Sequence, residues 1–207
     1  FEAVQQSLKE KGLTVPIQIL KADGGTMSLE SSLSFPGQTV LSGPAASIMG
    51  AIPYAPEKQD AIVLDIGGTT TDIAFLVDKA PLLEPVGIRR GQYKSLIRSL
   101  LTDSKGIGGD STVRVKDKEW IIGPDRQGPA MAFGGSEPTP TDALVVLGLM
   151  NEGDQENAKK GIHKIAQEMN MSDTEAADQI FKKCCSIILK KTFEMIDKLN
   201  SNTVYTV

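Results

Sequence analysis

The sequence predicts an α/β protein: a mixed sheet flanked by helices, with a helical C-terminal part. Three observations predict it. Residues Ala61 to Val77 read as a strand, a glycine turn and a second strand. Residues Ser111 to Ile122 alternate as a hairpin. From Asn157 onward, apolar residues recur every three to four positions, the spacing of a helix face. Strands followed by helices in one chain indicate a sheet covered by helices.

Taken in order, Phe1 to Lys11 reads as a helix, with Phe1, Val4 and Leu8 on one side and Gly12 as the stop. Pro16 to Leu20 is a candidate strand, followed by a turn over Ala22-Asp-Gly-Gly25. Ser28 to Ser34 fits a short helix entered at Ser28. Gly43 to Ile52 fits a helix whose first turn holds Pro44, where the missing N–H removes no helix bond. In Ala61 to Val77, the four apolar residues Ala61 to Leu64 read as a buried strand. Gly67 and Gly68 then permit a tight turn, and Ile73 to Val77 return. Val113 and Val115 alternate with charged residues, Lys116-Asp-Lys118 makes a turn, and Trp120 to Ile122 come back.

Gly123 to Pro140 is rich in Gly and Pro and has no period; a loop of that length in a compact domain is functional or disordered. Thr141 is the expected cap of a helix to about Met150. Asn157 to Met169 forms the next helix. Ser172-Asp-Thr-Glu175 has the form of a capping box for a last long helix, whose inner face is Ala176, Ile180, Cys184, Ile187, Ile188, Met195 and Leu199. Val204 to Val207 fit the start of another strand. There is no internal repeat.

The chemistry concentrates at Asp65-Ile-Gly-Gly-Thr-Thr-Thr-Asp72. Glycines expose backbone N–H groups to an anion, and Thr69, Thr70 and Thr71 add hydroxyls, so Gly67, Gly68 and the three threonines are candidate phosphate contacts. Three threonines also suit a strand edge by propensity alone. Asp65 and Asp72 would repel a bare phosphate; they fit if Mg²⁺ or its waters lie between them and the phosphate oxygens. Asp65 is the first candidate for that role, against a turn aspartate that caps its own loop. Asp72 either contacts metal or water or braces the loop.

A second glycine run, Gly106-Ile-Gly-Gly-Asp-Ser111, adds Gly108 and Gly109 as candidate contacts; Asp110 is a further carboxylate near the site or a turn residue. Thr141 and Asp142 open a helix, as capping residues or facing a nucleotide. Ser42-Gly-Pro44 is an anion-holding helix start or a close-packing one.

Composition bounds these readings. The chain of 207 residues is 40% hydrophobic and 23% charged, ordinary for one large or two small globular domains. A formal net charge of −4 argues against a general nucleic-acid binder. The lysines of the last quarter read as a solvated helix face. Cys184 and Cys185 are adjacent, which disfavours an ordinary disulfide, and no Cys/His spacing suggests zinc. His163, the one histidine, sits on a Lys-rich helix, so no Ser-His-Asp set can be built around it. With no leader peptide and no long apolar run in these residues, a cytoplasmic location is the default expectation.

Five motifs occur in order: Asp23-Gly-Gly-Thr-Met27, Leu41-Ser-Gly-Pro-Ala-Ala46, the Asp65–Asp72 loop, Ile107-Gly-Gly-Asp-Ser111 and Pro138-Thr-Pro-Thr-Asp-Ala143. In this the chain resembles the hydantoinase/oxoprolinase family, A-subunit type, most closely from about Pro16 to Gly148. The resemblance implies the second, ribonuclease H-like lobe of the actin-like ATPase superfamily of sugar kinases, actin and heat-shock chaperones. It implies a lobe over 1–150 with its phosphate loop at 65–72, and a helical extension of that lobe over 151–207. Many family members carry Gly-Ala-Gly-Gly-Gly-Ser at the second glycine run, often after a His; this chain has Asp110 in the run, with Asp103 and Ser104 upstream.

The implied activity is ATP-dependent hydrolysis of a cyclic amide such as hydantoin or 5-oxoproline, with ATP and Mg²⁺ as cofactors. Asp65 and Asp72 are then the implied catalytic and metal-linked carboxylates. The implied partners are an N-terminal lobe of the same protein and a second, B-type subunit. Without that lobe and the adenosine-binding Gly-Gly segment, these 207 residues are expected to bind ATP weakly and turn nothing over. A related branch carboxylates ketones, also with ATP; a non-enzymatic nucleotide-binding lobe that docks a partner is the other alternative.

Overall fold

The computed structural model describes residues 2–13, 15–90 and 92–201. The chain divides into two compact units, one of residues 1–65 with 72–103 and one of residues 66–71 with 104–207. The short segment 66–71 is therefore the point at which the chain leaves the first unit and returns to it.

The first unit begins with α1 (Glu2–Glu10), ended at Gly12 with φ +80. Strands β1 (Gln18–Leu20) and β2 (Thr26–Ser28) pair antiparallel, Leu20 opposite Thr26, across the turn that holds Asp23. Helix α2 (Leu29–Ser34) starts as the sequence predicts: the Ser28 hydroxyl accepts the Ser31 N–H at 3.2 Å. Helix α3 (Ser42–Ala51) has Pro44 in its first turn. Strands β3 (Ala61–Ile66), β4 (Thr71–Val77) and β5 (Ala80–Pro81) are neighbours in that order. A small ribbon, β6 (Arg89–Arg90) with β7 (Tyr93–Lys94), follows, and β8 (Thr102–Lys105) pairs with β4.

The core of this unit is Ala45 and Ile48 of α3, Ala74 and Leu76 of β4, and Leu100. It explains a departure from the sequence reading of β3 as a buried strand. Ala61 and Val63 pack against this core, but Ile62 and Leu64 remain 44% and 43% exposed. Side chains alternate along a strand, and only one face of β3 is covered.

In the second unit, β9 (Val113–Lys116) and β10 (Glu119–Ile122) form the expected hairpin, Lys116 opposite Glu119. Asp117 and Lys118, both at positive φ, make its two-residue turn, a backbone that follows the strand twist. Helices α4 (Pro140–Val146), α5 (Gln155–Met169) and α6 (Asp173–Ser201) pack on one another. Ile107, Val113, Trp120, Ala143, Ile162 and Ile180 bring loop, hairpin and helices into one core. The Trp120 indole N–H donates to Gln179 on α6 at 2.9 Å.

Asp154 caps α5 by accepting the Asn157 N–H, so that helix starts two residues earlier than the sequence suggests. The Ser172 hydroxyl accepts the Glu175 N–H at 3.2 Å, as the capping box predicts. Ala176, Ile180, Cys184 and Met195 of the expected inner face of α6 are buried. Burial, with a smaller contribution from neighbouring Cys185, pushes the Cys184 thiol up to about 12. Neither cysteine is in a disulfide. Phe1 and the strand expected at Val204 to Val207 lie outside the described residues. Among the described residues, no helix is long and apolar enough to cross a membrane.

Candidate functional site: two glycine loops

The loop between β3 and β4 is held by its carbonyls. The Gly67 N–H closes the turn by donating to the Thr70 carbonyl at 2.9 Å. The Gly67 carbonyl accepts the Gly109 N–H at 2.9 Å, and the Gly68 carbonyl accepts the Asp110 N–H at 2.7 Å. With those carbonyls drawn to the second loop, the N–H groups of Gly68, Thr69 and Thr70 have no partner among the described residues. Neither do the Thr69 and Thr70 hydroxyls. Gly68 and Thr69 are exposed and Thr70 is half-buried. Successive exposed N–H groups in a glycine turn are an anion-binding concavity.

The second loop serves as the brace. The Gly108 N–H donates to the Ser111 hydroxyl at 2.9 Å, and the Gly109 N–H is committed to Gly67. Gly108 and Gly109, candidate ligand contacts in the sequence, therefore have their backbone donors engaged inside the protein. A Cβ on Gly108 would collide with the Gly67 and Gly68 backbone, so only glycine permits this approach. Thr141 fixes the brace from α4, giving its N–H at 3.0 Å and its hydroxyl at 2.8 Å to the Gly109 carbonyl. Thr71, also expected to meet phosphate, is fully buried; its hydroxyl donates to the Ile107 carbonyl at 2.8 Å. Asp110 is held by Arg126, two guanidinium nitrogens meeting Oδ2 at 3.1 and 2.7 Å. The sequence reading missed Arg126, which lies in the aperiodic Gly/Pro segment without local pattern.

Asp142 is buried, and its carboxylate is engaged within the protein. Its carboxylate accepts the N–H groups of Met131, Ala132 and Thr139 at 3.1, 2.8 and 2.9 Å and the Thr139 hydroxyl at 2.9 Å. Thr139, not Thr141, is the N-cap of α4, in a reciprocal capping box with Asp142. Pro140 at the first helical position makes this the favoured start. The same carboxylate organises the segment at Met131–Ala132, which explains how part of a long aperiodic loop is ordered.

The carboxylates at either end of the loop belong to the first unit. Asp65, at the end of β3, accepts a short hydrogen bond from the Ser47 hydroxyl of α3. Ser47 directly follows the Leu41–Ala46 motif and is a second residue missed from sequence; its place one turn inside that helix is the signal that could have found it. Asp72 has one carboxylate oxygen, Oδ1, that is buried and without a hydrogen-bond partner among the described residues. A buried carboxylate oxygen left unpaired is costly unless a water or ion completes it. Among the described residues, no three His, Cys, Asp or Glu side chains converge as a metal site. Asp65 and Asp72 are each carboxylate donors of the kind that hold Mg²⁺ with waters completing its shell.

The sequence as a whole places these loops among known proteins. It is 27% identical over 201 residues to the acetophenone carboxylase gamma subunit of Aromatoleum aromaticum, covering 84% of this chain and 26% of that protein. It is 30% identical over 142 residues to an uncharacterised protein of Schizosaccharomyces pombe, covering 64% of this chain and 11% of that one. The chain thus spans about a quarter or less of the curated relatives it matches. In fold it is similar to nucleotide-free acetone carboxylase, with a TM-score of 0.84 at 22% identity, over 95% of this chain and 30% of that one. It is also similar to the ATP-dependent caprolactamase of Pseudomonas jessenii, with a TM-score of 0.62 at 25% identity, over 86% and 28%. The family signature of hydantoinase/oxoprolinase covers residues 1–204, and the chain belongs to that family.

Proposed function

We propose that residues Gly68, Thr69 and Thr70 hold a phosphate group of ATP, and that the full-length protein uses it to open a cyclic amide of the hydantoin or 5-oxoproline type. The observation that carries this reading is the row of three N–H groups without partners, held open by the bonds from Gly109 and Asp110. Phosphoryl transfer needs positioning and charge neutralisation more than covalent protein chemistry. The γ-phosphoryl group passes to the ring amide oxygen and ADP leaves. Water then adds to the activated carbon and the ring C–N bond breaks, leaving the amine and an acyl phosphate; a second water displaces phosphate and leaves the carboxylic acid.

Asp65, oriented by Ser47, and Asp72, with its unpaired Oδ1, are the residues that would hold Mg²⁺ or its waters. When bound, the ion would neutralise charge on the phosphate oxygens. Thr69 and Thr70 add free hydroxyl donors. Gly108, Gly109 and Thr71 shape the loop from behind, and Asp142 orders the start of α4, from which Thr141 reaches Gly109. An N-terminal lobe of the same protein and a second subunit complete the catalytic unit.

The test on this chain is a ¹⁵N-resolved NMR titration with Mg-ATP. The amide signals of Gly68, Thr69 and Thr70 should move together and saturate. If they stay still while signals elsewhere move, the loop is not the phosphate site. A second reading, ATP-dependent ketone carboxylation, is favoured by the match to the acetophenone carboxylase gamma subunit over 84% of the chain. Assays of the full-length protein with 5-oxoproline, hydantoin, and acetone plus bicarbonate separate the two.

A further inference from the structure

The first unit contains an open surface pocket of about 400 Å³ that the nucleotide reading does not use. It is lined by Lys21, Asp23, Gln38, Leu96, Ile97 and Arg98. Its volume falls in the range of small-molecule sites. Its walls are pinned by backbone bonds: Lys21 N–H to Gly25 carbonyl at 2.8 Å, Ala22 N–H to Gln38 carbonyl at 2.8 Å, and Leu100 N–H to Ala22 carbonyl at 2.8 Å.

Of the three charged groups in the lining, Asp23 is fully engaged, Lys21 is partly engaged, and Arg98 is not engaged. Asp23 is satisfied. One carboxylate oxygen takes the Gly25 N–H at 3.0 Å and the other takes the Lys21 ammonium at 3.1 Å. Burial alone would raise its pKa, but the Gly25 N–H, Lys21 and the Arg98 charge together outweigh that and hold it below the ordinary value. The acid therefore stays ionised and engaged, and does not offer itself to a cation. Lys21 gives Asp23 one of its three donors. Arg98 makes no hydrogen bond and no close ion pair among the described residues. Two cations against one committed carboxylate leave the lining with one excess positive charge. Leu96 and Ile97 supply apolar surface beside it.

We propose that this pocket binds a small monocarboxylate with an apolar body, its carboxylate bridging the Arg98 guanidinium and the Lys21 ammonium. The planar fork of Arg matches a carboxylate in two parallel hydrogen bonds. One excess positive charge is balanced by a monoanion, whereas a phosphate dianion would overshoot it. The hydrocarbon part lies along Ile97 and Leu96. The inference stands apart from the nucleotide reading, because every residue it needs belongs to the first unit.

The test is an NMR titration of the ¹⁵N-labelled 207-residue chain with sodium butyrate, sodium 5-oxoproline, the neutral ring 2-pyrrolidinone, and inorganic phosphate. The expected result is saturable movement of the Lys21, Gly25, Gln38 and Ile97 amides by a carboxylate, with a Kd of about 1 mM. Arg98→Gln, a change at an exposed side chain, should weaken it about tenfold, and Arg98→Lys should restore part of it. Binding of 5-oxoproline alone would identify a cyclic-amide acid as the source; equal binding of butyrate would identify acyclic acids. Either supports the site. Equal shifts with 2-pyrrolidinone, tighter binding of phosphate, no saturation by about 50 mM, or an unchanged Kd in Arg98→Gln would overturn it. Shifts at Gly68 to Thr70 are read separately, so failure here leaves the nucleotide reading untouched.

Discussion

The loops Gly67–Thr70 and Gly106–Ser111 are built from similar residues and do opposite things. In the first, the carbonyls of Gly67 and Gly68 are bonded, while the N–H groups of Gly68, Thr69 and Thr70 are open. In the second, the N–H groups of Gly108, Gly109 and Asp110 are all committed to the protein. One loop presents donors and the other consumes them. A glycine-rich run therefore identifies a close backbone approach but not its direction; what distinguishes a cradle from a brace is where the donors go. Asp23-Gly24-Gly25 is a third solution, in which the aspartate of the turn takes the Gly25 N–H itself.

The strongest way to break this pairing is at Gly108. Gly108→Val places branched carbon against the backbone of Gly67 and Gly68, which cannot yield as a flexible side chain would. The expected cost is about 3 kcal/mol of unfolding free energy, with loss of Mg-ATP shifts at Gly68 to Thr70. Chemical denaturation and the NMR titration read the two effects. A variant of unchanged stability and unchanged titration would mean that the second loop does not support the first.

Asp142→Ala comes next. It leaves the buried N–H groups of Ala132 and Thr139 and the part-buried N–H of Met131 without an acceptor and removes half of a capping box. A loss of about 2–3 kcal/mol follows from those unmet donors. Because Asp142 touches no exposed loop donor, Mg-ATP affinity measured well below the unfolding transition should stay within about twofold. A large affinity loss in a stably folded variant would return Asp142 to the ligand.

Gly68→Ala sharpens the comparison from the presenting side. Its Cβ would lie 2.6 Å from Asp110 Oδ2, a side-chain atom that can move at the expense of its pairing with Arg126. Stability should fall by under about 1 kcal/mol, since an exposed ion pair contributes little. Mg-ATP should bind about tenfold more weakly, because the methyl group and the displaced carboxylate both crowd the N–H row. Equal damage from Gly68→Ala and Gly108→Val would erase the distinction between cradle and brace.

How much of this was legible in the sequence follows from the range of the interactions. The Asp65–Asp72 turn, the Ser28 and Ser172 caps and the Asp117-Lys118 hairpin turn depend on neighbours within a few residues, and local chemistry announces them. The bonds from Gly109 to Gly67 and from Thr71 to Ile107 join residues about forty positions apart. No local pattern encodes those, so the sequence reads Gly108, Gly109 and Thr71 as ligand contacts without showing that the Gly108 and Gly109 N–H groups and the Thr71 hydroxyl bond inside the protein. Asp142 is intermediate: its cap was foreseen as an alternative, but its reach to Met131 and Ala132 was not. The exposure of Ile62 and Leu64 was missed because a run of apolar residues does not say how many faces of its strand are covered.

The smallest effect tests the third glycine turn, in which the donor is taken by a carboxylate that titrates. Asp23 in the folded chain lies below its ordinary value of 3.8. A carboxyl held below its unfolded value binds protons less readily when folded, so its contribution is complete above about pH 4 and is lost as pH falls through the folded value. Lys21 and Arg98 remain charged throughout that range. Asp23→Asn should therefore cost stability at about pH 5, and the difference from the native sequence should shrink towards about pH 3. Denaturant unfolding of both proteins across that window measures it. A difference that stays constant with pH would mean that the Gly25 N–H and Lys21 recognise the shape of the Asp23 side chain and not its charge.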